Sequence, residues 1–146
     1  MATFSPAESL RLLSLDGGGI KGLTSLLILK RIFRTLRELG HYDEEPKPCE
    51  VFDLIAGTST GGLIAVMLGR LHMSIDECIT IYERVGKRVF GKKPSGGQAG
   101  RLFKGLINSP FYDIRILQEC MKDILQEREV PIDESFRETG FPQCKV

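Results

Sequence analysis

Apolar and polar positions along the chain alternate between two rhythms. Leu10 to Leu15 is a short, mostly apolar run closed by Asp16 and three glycines, the pattern of a buried strand ending in a tight turn. From Gly22 to Leu39 the apolar residues Leu23, Leu26, Leu27, Leu29, Ile32, Phe33, Leu36 and Leu39 recur at steps of three and four, with Lys30, Arg31, Arg34 and Arg37 between them. That spacing predicts an amphipathic helix, stopped by Gly40. A polar loop with two prolines spans His41 to Pro48, and Val51 to Ala56 reads as a second strand broken at Gly57. Leu63 to Leu71 is nearly all apolar and reads as a helix buried on most sides. Ser74-Ile75-Asp76-Glu77 forms a capping box, and Ile75, Cys78, Ile79, Tyr82, Val85 and Val89 continue at helical spacing. Gly91 to Gly100 predicts a flexible polar loop. Asp113 to Gln126 predicts a further amphipathic helix, and the segment ending at Val146 stops where a third strand would begin.

Strand, loop, helix and strand from Leu10 to Gly57 make a βαβ unit, whose strands are parallel. Both strand ends then reach one edge of the sheet, the edge at which open α/β sheets bind ligands. If the strands are neighbours, the turn Gly17-Gly18-Gly19 and the turn Gly57-Thr58-Ser59-Thr60-Gly61 face each other there.

Composition narrows the classes of function. The chain has 146 residues, 42% apolar and 27% charged, in the range of soluble globular domains rather than disordered chains. That length fits one domain. With 20 basic and 19 acidic side chains the net charge is +1, so no overall field recruits nucleic acid or an acidic membrane from a distance. Cys49, Cys78, Cys120 and Cys144 are scattered without a metal-binding spacing and read as reduced, buried thiols. Met1 to Leu10 lacks the character of a signal peptide, and no apolar run approaches a membrane span. The expected location is therefore intracellular, cytoplasmic or peripheral at membranes. Glycine stands out, with 16 residues, about 11% against a usual share of about 7%.

The glycines gather in the two turns. Gly57, Ser59 and Gly61 fit G-x-S-x-G, the nucleophile elbow, in which a strand turns at once into a helix and leaves one hydroxyl at the tip. The bland alternative is an ordinary serine in a glycine-rich turn. Gly17, Gly19 and Gly22 fit G-x-G-x-x-G, again between strand and helix. A dinucleotide site would need an acidic ribose partner at the end of the second strand. Asp43 and Glu44 instead precede that strand, and no Gly-Lys-Ser/Thr follows to make a Walker loop. Facing a serine nucleophile, the amides of Gly17, Gly18 and Gly19 suit an oxyanion hole. Lys21 opposes the helix dipole, which fits contact with an anionic substrate group, a tether for the loop or a merely solvated lysine. Asp16 suits acceptance of hydrogen bonds from the turn amides better than catalysis.

A serine nucleophile needs a base. His72 lies thirteen residues beyond Ser59, roughly 20 Å along a helix, and His41 is roughly 30 Å from Lys21 by the same rise. Neither can take the serine proton, which leaves an aspartate, a lysine or a residue outside the chain.

Asp-Gly-Gly-Gly-Ile-Lys-Gly at 16 to 22, followed by Phe52-Asp53-Leu54-Ile55-Ala56-Gly57-Thr58-Ser59-Thr60-Gly61-Gly62, resembles the patatin-like phospholipases. The likeness spans about residues 10 to 146, and the tail is most similar to patatin-like domains at the N-termini of fungal multidomain proteins. The resemblance implies a three-layer α/β/α hydrolase fold, incomplete here at the C-terminal end, with 10–146 as the N-terminal part of the domain and 1–9 as a flexible segment. It implies Ser59 as nucleophile, Gly17, Gly18 and Gly19 as oxyanion loop, and Lys21 at the family's basic position. The implied reaction is hydrolysis of glycerophospholipid acyl esters through a serine–aspartate dyad and an acyl-enzyme, with no metal and no cofactor. Its partners would be a lipid or phospholipid substrate and, transiently, a membrane surface, without nucleic acid, and with further domains in a longer chain. One departure matters. The dyad aspartate belongs to a downstream Asp-Gly-Gly or Asp-Gly-Ala motif, and the only Asp-Gly here is Asp16-Gly17, because Asp113, Asp123 and Asp133 have no glycine after them. An inactive patatin-derived module that binds lipid or a partner is therefore the alternative, and nucleotide binding by the Gly17 loop a third.

Overall fold

The structure, a computed structural model, describes residues 10–90, 114–131 and 144–146. The expected flexible segment 1–9 and the loop 91–100 lie outside these residues. The chain divides into two compact units, Met1–Ile79 with Glu138–Val146, and Thr80–Arg137.

In the first unit, β1 (Leu12–Leu15) leads through a single 3-10 turn (Gly19–Lys21) into α1 (Gly22–Glu38). One turn of helix, α2 (Pro48–Val51), precedes β2 (Leu54–Gly57). Next come α3 (Thr60–Ala65), a π-helical turn (Val66–Arg70) and the start of α4 (Ile75–Phe90). The βαβ reading holds: β1 and β2 pair in parallel, with Leu12 opposite Leu54 and Leu15 opposite Gly57. The pair is pinned at its entry. Asp53 accepts the Arg11 N–H at 2.7 Å and returns its own N–H to the Arg11 carbonyl at 2.9 Å. That first bond, then the nearby guanidinium, holds the Asp53 carboxyl below the ordinary aspartate range.

Where the pattern placed the start of a third strand, the described residues form an isolated bridge. Lys145 bridges Leu54 in parallel, donating to the Asp53 carbonyl and accepting from Ile55 N–H, both at 2.9 Å. Gly69 makes room for it, since a Cβ there would overlap the side chain of Val146. The Leu71 N–H reaches back to the Val66 carbonyl at 3.0 Å, the wider turn that carries this glycine past the strand.

α1 ends as the sequence predicts. Gly40, at φ 75°, is the left-handed residue of a Schellman motif, with His41 N–H bonded to Leu36 O and Gly40 N–H to Arg37 O. Its apolar stripe buries Leu26, Leu29 and Phe33. With Ile55, Ile64, Met67, Leu68, Met73 and Cys78 these build the core. Burial pushes the Cys78 thiol up to about 12, and all four cysteines are free and buried. The opposite face of the strand pair, with Leu12, Ser14 and Ala56, is exposed.

Two strand boundaries differ from expectation. Val51 belongs to α2 rather than to the second strand, because Pro48 opens a helical turn and the Glu50 carboxylate takes the Lys47 N–H at 2.8 Å. The strand can then start only at Leu54. β1 likewise begins at Leu12, two residues after Leu10.

α4 starts on the predicted capping box, with Ser74 N–H donating to Glu77 at 2.8 Å and Glu77 N–H to Ser74 Oγ at 3.3 Å. In the second unit, α5 (Ile114–Glu127) follows the predicted helix to within a residue. Arg84 makes a bidentate pair with Glu127, both bonds 2.8 Å, and Arg88 reaches Asp123 at 2.5 Å.

Candidate active site

Both predicted turns leave the sheet at one edge. Beyond Leu15 opposite Gly57, the ladder continues by one bond, Thr58 N–H to Leu15 O at 3.0 Å. The chain then reverses at Ser59, which caps α3 with φ 55° and ψ −123°. A serine pays for a positive φ, at about 1–3 kcal/mol, and the backbone around it is arranged to hold it there. Gly61 and Gly62 N–H bond back to Thr58 and Ser59 carbonyls, both at 2.9 Å. The Ser59 side chain stays exposed at the tip.

Glycine is required in this turn by contact. A Cβ on Gly57 would overlap Gly61 and come within 2.7 Å of Gly62 N; one on Gly61 would overlap the Leu15 carbonyl and lie 2.8 Å from that of Asp16. Main chain therefore touches main chain between the end of β1 and the first turn of α3.

The Gly17 turn closes on the same point. A Cβ on Gly17 would stand 2.9 Å from Thr58 O and 3.0 Å from Ser59 Cβ, so the glycine loop and the serine turn are in contact. Gly18 at φ 150° and Gly19 at φ 58° bend the loop into α1. Lys21 is exposed, and its aliphatic stem lies along Gly18. Gly22, the last glycine of the loop motif, is the buried first residue of α1.

The histidines are placed as their spacing requires. Both are exposed. His41 follows a helix of 17 residues, about 25 Å long, and His72 follows the π turn at the other end of the α3 segment. A feature the sequence hides is Thr60: its Oγ is buried without a hydrogen-bond partner. As the first residue of α3, its N–H has no acceptor inside the helix. Among the described residues, no group of His, Cys, Asp and Glu is placed to hold a metal ion, and no helix is long and apolar enough to cross a membrane.

Known proteins are similar to this chain in sequence. Phospholipase A I of Arabidopsis thaliana is 44% identical over 87 residues, 60% of this chain and 6% of that protein. The human calcium-independent phospholipase A2-gamma is 36% identical over 116 residues, 80% of this chain and 13% of its own length. Patatin-like protein 1 of Arabidopsis thaliana is 36% identical over 124 residues, 80% of this chain and 29% of that protein. The chain thus spans less than a third of each of these three. No solved structure matches it. The family model for patatin-like phospholipase runs from residue 13 to 144, from within β1 through both glycine-built turns to Cys144, just short of the bridging Lys145: the chain belongs to the patatin-like phospholipase family.

Proposed function

We propose that the chain carries the nucleophile and oxyanion half of a serine lipid acyl hydrolase of the phospholipase A type. The observation that supports this most is the Ser59 backbone, held at φ 55° on the tip of a strand-to-helix turn and packed against Gly17. Such a turn presents a hydroxyl free of its neighbours. In this reading Ser59 Oγ attacks the acyl carbonyl of a glycerophospholipid, and the amides of Gly17, Gly18 and Gly19 stabilise the oxyanion. Losing one such donor typically costs about 2.7–4 kcal/mol of transition-state stabilisation. The bond to the alcohol oxygen breaks, leaving an acyl-enzyme that water hydrolyses. The base is an aspartate of a downstream Asp-Gly-Gly or Asp-Gly-Ala motif, supplied from outside these 146 residues, whose one Asp-Gly lies in the oxyanion loop. Residues 10–146 are then the N-terminal part of a longer hydrolase domain, working at a phospholipid surface, and Lys21 lies where an anionic head group would meet the loop.

That single Asp-Gly also favours the second reading, a lipid- or partner-binding module without turnover. A fluorophosphonate probe separates them. In a protein that continues through the missing motif, labelling abolished by Ser59→Ala is expected; absence of labelling there removes the hydrolase reading. The 146-residue chain alone is expected to turn over little phospholipid.

A further inference from the structure

The near-neutral charge of the chain hides a local imbalance. The 17 residues of α1 carry Lys30, Arg31, Arg34 and Arg37 against a single acid, Glu38. Lys30 is engaged by Asp76. No acidic side chain among the described residues pairs with Arg31, Arg34 or Arg37, and all three are exposed. Apolar side chains share their side of the helix. Leu27 is 51% exposed, Ile28 56% and Ile32 50%, while the buried stripe of Leu26, Leu29 and Phe33 points the other way. At 100° per residue, Leu27, Ile28 and Arg31 lie opposite that stripe, with Arg34 on one flank of them, Ile32 on the other, and Glu38 in line with Arg31 and Arg34.

A single exposed leucine needs no explanation. Three half-exposed aliphatic side chains beside arginines that pair with no acid among the described residues are a different matter. In water the arginines repel and the aliphatics stay wet. Against an anionic bilayer the same face would bury the aliphatics at the acyl boundary while each guanidinium reaches a phosphate, its stem lying along the apolar surface.

We propose that the outward face of α1, formed by Leu27, Ile28, Arg31, Ile32 and Arg34, rests on an anionic phospholipid surface. The choice of lipid over an acidic protein rests on the hydrolase reading; the face itself does not. α1 begins at the glycine loop, so docking through it would hold the Ser59 edge at the end of a membrane-bound helix.

The test is partition of the full chain carrying Ser59→Ala, so that hydrolysis plays no part. Vesicles are made of phosphatidylcholine alone or with phosphatidylserine. Stronger partition onto the serine-lipid vesicles is expected, weakening with salt. Arg31→Glu with Arg34→Glu should lower it about tenfold or more, at about 1 kcal/mol per basic residue at such a surface. Ile28→Ser with Ile32→Ser should lower it as well, with Lys87→Glu as the control that does not. Since the native cysteines are buried, an environment-sensitive dye on Leu27→Cys reports the face directly and should shift to the blue on those vesicles. Unchanged partition of the double-arginine variant overturns the proposal, as does a dye that is already blue-shifted without lipid and stays so, which would mean protein covers the face. Equal or absent binding to both vesicle types overturns the choice of lipid. Fluorophosphonate labelling is measured separately, so either reading can fail alone.

Discussion

At the edge formed by residues 16–22 and 57–62, main chain presses on main chain, and one added carbon on Gly61 would collide with the Leu15 carbonyl. Between α4 and α5 long side chains make the contact instead, Arg84 to Glu127 and Arg88 to Asp123, all about half exposed. Contact through backbone leaves no room to adjust. Contact through charged side chains can be rearranged, hydrated or screened. The two regions should therefore differ in how much they tolerate, and four measurements rank that difference.

The largest effect is expected for Gly61→Ala. Its methyl group has backbone on the colliding side rather than a movable side chain, so a loss of about 3 kcal/mol is expected, read as a drop in midpoint on urea unfolding. A loss under half that would mean the edge is as yielding as the helix pair. Ser59→Gly moves the opposite way: it removes a side chain from a positive φ and should raise stability by about 1 kcal/mol while eliminating labelling by the serine probe. An unchanged or lower melting temperature would show that the turn is not strained.

A third measurement concerns acid. Asp53 and Glu127 both have carboxyls held below their ordinary range, Asp53 chiefly by the Arg11 N–H and Glu127 chiefly by Arg84. A depressed pKa stabilises the folded state above the unfolded pKa and is lost as pH falls through the folded one. Stability should be level above about pH 5 and decline below about pH 4. Asp53→Asn should flatten part of that decline; an identical acid profile would count against the Arg11 contact. The smallest effect belongs to the helix pair. Arg84→Ala should cost about 0.5 kcal/mol and fade in high salt, as exposed pairs do; a larger, salt-insensitive loss would erase the contrast with the glycine edge.

The same contrast explains what could be read in the sequence. Helices α1, α4 and α5 were legible because one face of each must be apolar, and Gly40 and Ser74 mark their ends by chemistry that does not depend on the rest of the fold. The contact between Gly17 and the serine turn was legible because a βαβ unit brings both strand ends to one edge. Val51 was misread as strand because a short apolar run has no period of its own, and the deciding signals were Pro48 and Glu50 flanking it. The π turn at Val66–Arg70 has no local signature. The glycine within it answers to Val146, remote in sequence, which lies where a side chain on Gly69 would be. The φ of Ser59 could be expected from its motif, but the buried Thr60 hydroxyl beside it could not, since nothing in a threonine announces that its oxygen is unpartnered.

The bridge between Leu54 and Lys145 has a consequence for biosynthesis. β2 meets β1 across 42 residues, from Arg11 to Asp53, so this pairing can form early as the chain leaves the ribosome. Its other edge waits for a residue about ninety positions further on, a roughly twofold longer loop that adds only about 0.6 kcal/mol of closure cost. The delay, rather than the energy, is what matters. Until Lys145 emerges, Asp53 and Ile55 offer unpaired backbone groups beside an exposed Leu12, the kind of open strand edge that recruits other nascent chains. Truncation upstream of Cys144 should therefore be felt first as lost soluble yield during synthesis.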